Sequence, residues 1–266
     1  MSFKTLYSTG SAELADGIRS WRIWHLLGTA ELRRRHARSK FGQFWITLST
    51  GVTIFALGLV WSLLWKMPVA GIMPYITVAM IFWSFISGTL IESTAALTSL
   101  GNLFLNQKTS FSVAIYMLIY RNLITTGYNL SVIIIVFAFF KVAPTWSIFL
   151  LIPGLVLTVL FMLPACYVLA LITTRFRDAA PLTQTITQIG YFITPVLWQP
   201  GFIPHNYQWI IIANPFAVFL ALLRDPLLGV DTSATVWLVA LAYTALIWLA
   251  GLPFIGAYHK RAIYWI

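Results

Sequence analysis

Residues 44–65 read FWITLSTGVTIFALGLVWSLLW, twenty-two residues without a charge. At 1.5 Å of rise per residue, a helix of that length spans the ~30 Å hydrocarbon core of a bilayer. No water is present there to satisfy a free backbone, so such a stretch must be helical. Five further stretches, at 73–98, 113–140, 147–173, 181–198 and 234–257, repeat the pattern. Only 9% of the 266 residues are charged, while 16% are aromatic. A chain of this size cannot hide so much apolar surface from water, and needs a bilayer as its solvent. The reading is an all-α polytopic membrane protein with six transmembrane helices.

The charges orient these spans. Residues 1–41 hold Lys4, Arg19, Arg22, Arg33, Arg34, Arg35, Arg38 and Lys40. With Lys108, Arg175, Arg177, Lys260 and Arg261, thirteen of the seventeen basic residues fall on one side. Basic residues accumulate in cytoplasmic loops, so both termini are expected in the cytoplasm. The formal charge of +10 is therefore read as a membrane signature and not as a nucleic-acid surface. The first forty residues are polar and basic, unlike a cleavable signal peptide. Cys166 is the only cysteine, which excludes an internal disulfide.

Two segments break the pattern. Trp209 to Leu223 is apolar but is interrupted by Asn214-Pro215 and closed by Arg224-Asp225-Pro226. A crossing here would put Lys260 and Arg261 on the wrong side. A pair of short helices that dip into the outer leaflet and return fits better. Near the start, Leu14, Ile18, Trp21 and Trp24 share a helical face opposite Glu13, Asp16, Arg19 and Arg22. This reads as an amphipathic helix in the cytoplasmic interface, or else as a solvated helix packed on the bundle.

The missing chemistry is informative. No G-x-x-x-x-G-K-[ST] loop occurs, so the chain has no P-loop for ATP. No H-E-x-x-H or cysteine pair points to a metal. His25, His36, His205 and His259 are scattered outside the spans. Of seven acids, only Glu92 lies within a span, where Arg121 is the one basic residue. Charges at that depth are costly, and antiparallel spans two and three would allow a structural Glu92–Arg121 pair. An ion-coupled carrier or a membrane glycosyl or acyl transferase needs more ionisable groups than this. A conduit powered from outside the chain remains, with a passive channel as the rival that needs no partner.

Four segments resemble one family, the ABC-2 type polysaccharide export permeases. Arg38-Ser39-Lys40-Phe41-Gly42-Gln43-Phe44-Trp45 is similar to the basic approach to that family's first span. Arg175-Phe176-Arg177-Asp178 resembles its signature after the fourth. Tyr191 to Trp198, with Thr194-Pro195 in place of Ser-Pro, looks like the end of its fifth. Asn214-Pro215-Phe216, Leu223-Arg224-Asp225 and Leu227-Leu228-Gly229 resemble its outer segment. The loop Leu105 to Phe111 departs from the pattern in lacking a proline. Within the family the O-antigen permeases look most similar, with capsule permeases close behind.

The resemblance implies one transmembrane domain over residues 1–266. An interfacial segment (1–41) precedes spans one to five (42–198), a periplasmic re-entrant gate (199–233), and the sixth span with its tail (234–266). It implies a homodimer in the bacterial inner membrane, bound to two ATPase subunits. The cofactors, ATP and Mg, belong to those subunits and none to this chain. The substrate would be an undecaprenyl-pyrophosphate-linked polysaccharide; capsule polymer, teichoic acid or another glycolipid is the alternative. Gly101, Asn102, Leu105, Asn106, Gln107 and Lys108 would form the coupling helix, aided by Glu31, with Gly101 breaking the second span and Asn102 capping the new helix. Arg33, Arg34, Arg35, Arg38 and Lys40 would meet the lipid pyrophosphate or headgroups. Trp83, Phe85, Tyr191 and Phe192 would offer sugars aromatic contact. Asn214, Pro215, Arg224 and Asp225 would form an outer gate.

Overall fold

The computed structural model describes residues 3–36 and 44–266. Arg38 and Lys40 lie outside the described residues. Two helices come first, α1 (Phe3–Arg19) and α2 (Trp21–His36), followed by α3 (Phe44–Trp65) and α4 (Val69–Ser93). Two short helices follow, α5 (Ala96–Ser99) and α6 (Gly101–Asn106). Then come α7 (Ser112–Phe140), α8 (Leu151–Arg175) and α9 (Ala179–Ile193). The chain ends with α10 (Trp209–Ala213), α11 (Pro215–Arg224) and α12 (Ala234–Tyr258). Five helices are long and apolar enough to cross a membrane: α3, α4, α7, and α8 and α12 with their flanking 3-10 turns.

The helix α4 is the hub. It packs on α3, α7, α8, α9 and α11, and from Ile72 to Ala79 every residue is buried. The first span, α3, is peripheral, with Val52, Phe55, Leu63 and Leu64 exposed as expected of a lipid-facing surface. Both α3 and α7 stop at a lysine in the left-handed region, Lys66 (φ 50°) and Lys141 (φ 54°). A cation there also suits the helix's negative end.

Three expectations need correction. The N-terminal amphipathic helix is two helices, and α1 is packed on α12 and α7. Leu14 is buried as predicted, but beside Gly10 and Gly17, while Ile18 and Trp21 are exposed. Small residues let the backbones approach: a Cβ at Gly10 would strike the carbonyl oxygen of Leu252, and one at Gly256 that of Leu6. Second, the helix of span two ends at Ser93, eight residues before Gly101, and Leu100 stands at the N-cap of α6 in place of Asn102. Third, α9 has fifteen residues, about 22 Å at 1.5 Å per residue, and is shorter than a hydrocarbon core. It reaches the level of Tyr75 only through residues 194–198, where the Pro195 and Trp198 carbonyls accept from the Tyr75 hydroxyl at 2.8 and 2.9 Å.

The apolar segment after α9 turns back on itself. Pro215 occupies the first turn of α11, and Asn214 caps it, its Oδ1 accepting from Phe216 N at 3.0 Å. Phe216 lies at depth against Trp83 (ring centroids 5.7 Å apart), whereas Arg224 emerges beside Tyr75. Residues 217–224 are buried among α4, α8 and α12.

Candidate functional site

The basic end of the bundle gathers the N-terminal helices, α6 and the chain's last residues. Arg121 of α7 is 5% exposed and ion-pairs with Glu31 of α2 and Glu92 of α4. Arg35 adds a second cation, at 3.0 Å from Glu31 and 3.6 Å from Glu92. The Glu92–Arg121 pair thus lies within a larger cluster, and Glu31, expected to face an ATPase, is turned into it. Burial pushes the Glu31 carboxyl up, but hydrogen bonds and charge from Arg121 and Arg35 outweigh it and hold the group below the usual carboxylate range. The Arg121 Nε remains unpaired.

A second acid ties the same end together. The Glu13 carboxylate accepts from Ser110 Oγ (2.8 Å), Ser112 N (3.2 Å) and the Tyr167 hydroxyl (2.9 Å), and its backbone carbonyl accepts from Ser112 Oγ (2.8 Å). It supplies from α1 the cap that the start of α7 lacks locally. Sequence reasoning placed Glu13 on a solvated face; the serine pair at 110 and 112, an uncapped helix start, was the available signal.

The segment expected to couple to an ATPase is presented outward. Asn102, Leu105, Asn106, Gln107 and Lys108 are exposed, with Leu105 an apolar side chain on the outer face. Gly101 is buried against Ile266, and a Cβ there would meet its Cγ2. Arg33, Arg34 and Arg35 are exposed on α2. Among the described residues no ion pair involves Asp178 of the Arg175–Asp178 segment; Arg175 lies over the Phe176 and Trp265 rings.

The four aromatic candidates divide. Phe85 is 3% exposed and belongs to the core, because α4 is enclosed on nearly every side. Trp83 is also buried, wedged between Tyr191 and Phe216. Tyr191 is half-buried and Phe192 exposed, both at the end of α9. This helix has three faces. Thr183, Thr187 and Gly190 are buried toward α4. Leu182, Ile186, Ile189 and Ile193 form an exposed apolar stripe at i, i+4, i+7 and i+11. Gln184, Gln188 and Tyr191 share the third, at i, i+4 and i+7, with both glutamines exposed. Periodicity of the glutamines marked this face, but the aromatics drew attention away from it.

At the opposite end Arg224 is 2% exposed. It donates to the Tyr75 hydroxyl (2.6 Å) and the Pro195 carbonyl (2.7 Å), and its Nε and Nη2 reach Asp225 Oδ1 at 2.8 and 2.7 Å. Asn214 Nδ2 donates to Thr194 Oγ1 at 2.9 Å. Asn214 and Arg224 are thus joined to the Thr194-Pro195 end of α9, Arg224 also to the start of α4, and Asp225 to Arg224. A cavity of about 570 Å³ opens beside Tyr75, Arg224 and Asp225.

No profile of a known protein family matches the chain. A curated protein of Myxococcus xanthus, the O-antigen export system permease protein RfbA, is 21% identical over 203 residues, 76% of this chain and 75% of its own length. The resemblance carried by the motifs of residues 38–229 is thereby matched by a curated relative: the chain is a multi-pass membrane protein similar to the permeases of O-antigen export.

Proposed function

We propose that the chain is one half of a homodimeric permease in the bacterial inner membrane. Two ATPase subunits, which bind ATP and Mg, would drive it to export undecaprenyl-pyrophosphate-linked O-antigen polysaccharide. In this reading α9 with residues 194–198 makes a sixth crossing, and both termini are cytoplasmic.

The observation that carries the reading is the three-faced α9. Two exposed glutamines are expensive against lipid, so such a face belongs on a water-filled path or a protein interface. Sugars need repeated weak contacts to move, and glutamine amides with the Tyr191 and Phe192 rings supply both polar and C–H contact. A second copy of the chain, facing the first across α9, would enclose that path. The exposed segment 101–110 is the natural ATPase seat, since it is rigidly backed by Glu13 and Ile266. Arg33, Arg34, Arg35, Arg38 and Lys40 provide cations for the pyrophosphate at the point where substrate would enter. The gate residues at Arg224 would close the far end.

The test is co-purification with the ATPase in detergent, followed by ATP hydrolysis, with residues 101–110 intact or replaced by a flexible linker. The expected result is a complex whose ATPase subunit is lost with the linker. A single chain that captures no nucleotide-binding subunit in either form sinks the reading and revives a membrane transferase or channel.

A further inference from the structure

A large cavity lies away from the Arg224 cluster. It is a cleft of about 880 Å³ between α2, α3 and α7, within the size range of ligand pockets. The first and third spans approach at Gly51, where an added Cβ would lie 3.8 Å from the Val132 methyls. The helix α2 lines the basic end of the cleft.

The lining is graded. At the mouth stand Arg33 and Thr29, with Tyr120, whose hydroxyl is 3.4 Å from Thr29 Oγ1. Among the described residues no carboxylate lines the cleft. Deeper along α7 the wall passes through Ile124 to Gly127. From Tyr120 to Ser131 the cleft follows about 16 Å of helix, at 1.5 Å per residue. Arg35, two positions on, is occupied with Glu31 and Glu92, so Arg33 is the cation directed here.

The floor is the second observation. Gly127 sits in mid-helix, where glycine is less favourable than alanine. A Cβ there would meet nothing within 4 Å, so no neighbour's packing requires the glycine. What its missing side chain provides is depth.

We propose that this cleft binds a single phosphate-headed lipid. The phosphate sits on Arg33 and the Tyr120 hydroxyl, beside Thr29, whose own proton goes to the His25 carbonyl at 2.8 Å, and a hydrocarbon chain lies over Gly127 between α3 and α7. A guanidinium with a tyrosine hydroxyl donor matches phosphate oxygens. A lateral wedge between two spans with an apolar depth matches a chain that arrives through the bilayer and not from water. The inference builds on the headgroup role proposed for Arg33, but it concerns binding to this chain alone and is independent of export.

The test is native mass spectrometry of the full chain released from detergent micelles. Phosphatidylglycerol is titrated against glucosyl diacylglycerol, which has similar chains and no phosphate. The expected result is one retained phosphatidylglycerol per chain at concentrations where the glycolipid is lost. Arg33→Gln should weaken it about tenfold or more. Gly127→Leu should abolish it without lowering the melting temperature, since the added side chain fills open space; Gly127→Val serves as the smaller plug. Undecaprenyl phosphate is added as a competitor. One-for-one displacement assigns the site to the cargo's lipid carrier, and no displacement assigns it to a leaflet phospholipid; both sustain the proposal. Equal retention of the two lipids, or wild-type binding in both variants, overturns it.

Discussion

Arg224 and Arg121 are both buried, yet they are held by different materials. Arg224 gives its hydrogen bonds to a backbone carbonyl, a tyrosine hydroxyl and the carboxylate of its own sequence neighbour. The Pro195 carbonyl is backbone just after α9, Tyr75 is anchored near the start of α4, and Asp225 is fixed next to Arg224 in the chain. Arg121 is held only by side chains, one from α2 and one from α4; Arg35 competes for both, and the Nε of Arg121 stays unpaired. The first cluster is a fixed joint. The second can exchange partners, and its members come from three helices, α2, α4 and α7. A mechanical signal entering at the basic end meets a joint built of exchangeable side chains, and at the far end one tied to backbone, which would have to move as a unit for the proposed gate to open.

The comparison can be broken in four ways. Arg224→Met strands Asp225, the Tyr75 hydroxyl and the Pro195 carbonyl, and should cost about 3–5 kcal/mol in thermal unfolding. Arg224→Met with Asp225→Leu should recover part of that loss. Next, Arg121→Met should cost about 2 kcal/mol, because Glu31 and Glu92 are 19% and 34% exposed and can rehydrate. Its hydrogen exchange should quicken in α2 and leave 194–228 unchanged. A larger loss at Arg121 than at Arg224 reverses the argument. Third, Asn214→Ala removes the cap of α11 and its bond to Thr194, for about 1 kcal/mol and faster exchange at Phe216. The smallest effect is at Glu31. Its folded carboxyl is held below the ordinary range, so its contribution is present at neutral pH and lost as pH falls through its folded value. The wild type should lose a few tenths of a kcal/mol more than Glu31→Gln on acidification, after allowance for solvent screening. Parallel acid profiles would show that the inner cluster adds nothing to stability.

These contrasts also explain what the sequence could tell. The bilayer sets the length of a crossing, so 44–65, 113–140 and 234–257 coincide closely with α3, α7 and α12. Charge was legible where it was rare: Glu92 and Arg121 stand out in spans two and three. Glu31 and Glu13 were not, because each acts on a partner some ninety to one hundred residues away and periodicity holds no record of that. Phe85 was misread since α4 is apolar on all sides, leaving no pattern to separate a core face from a path. The shortness of α9 was hidden because Thr194 to Trp198 continues the apolar run while Pro195 ends the helix.

The crossing of α1 and α12 at Gly10 and Gly256 sets an order of events in biosynthesis. The α12 half of the seat of α1 does not exist until the last span has been made, about 250 residues after Gly10 leaves the ribosome, or roughly 10–50 s at ordinary elongation rates. For that interval α1 has only its contacts with α7 and α8, the Glu13 cap among them. The first helix translated is therefore among the last to dock, and its arrival closes the bundle only around a chain whose every span is already in place.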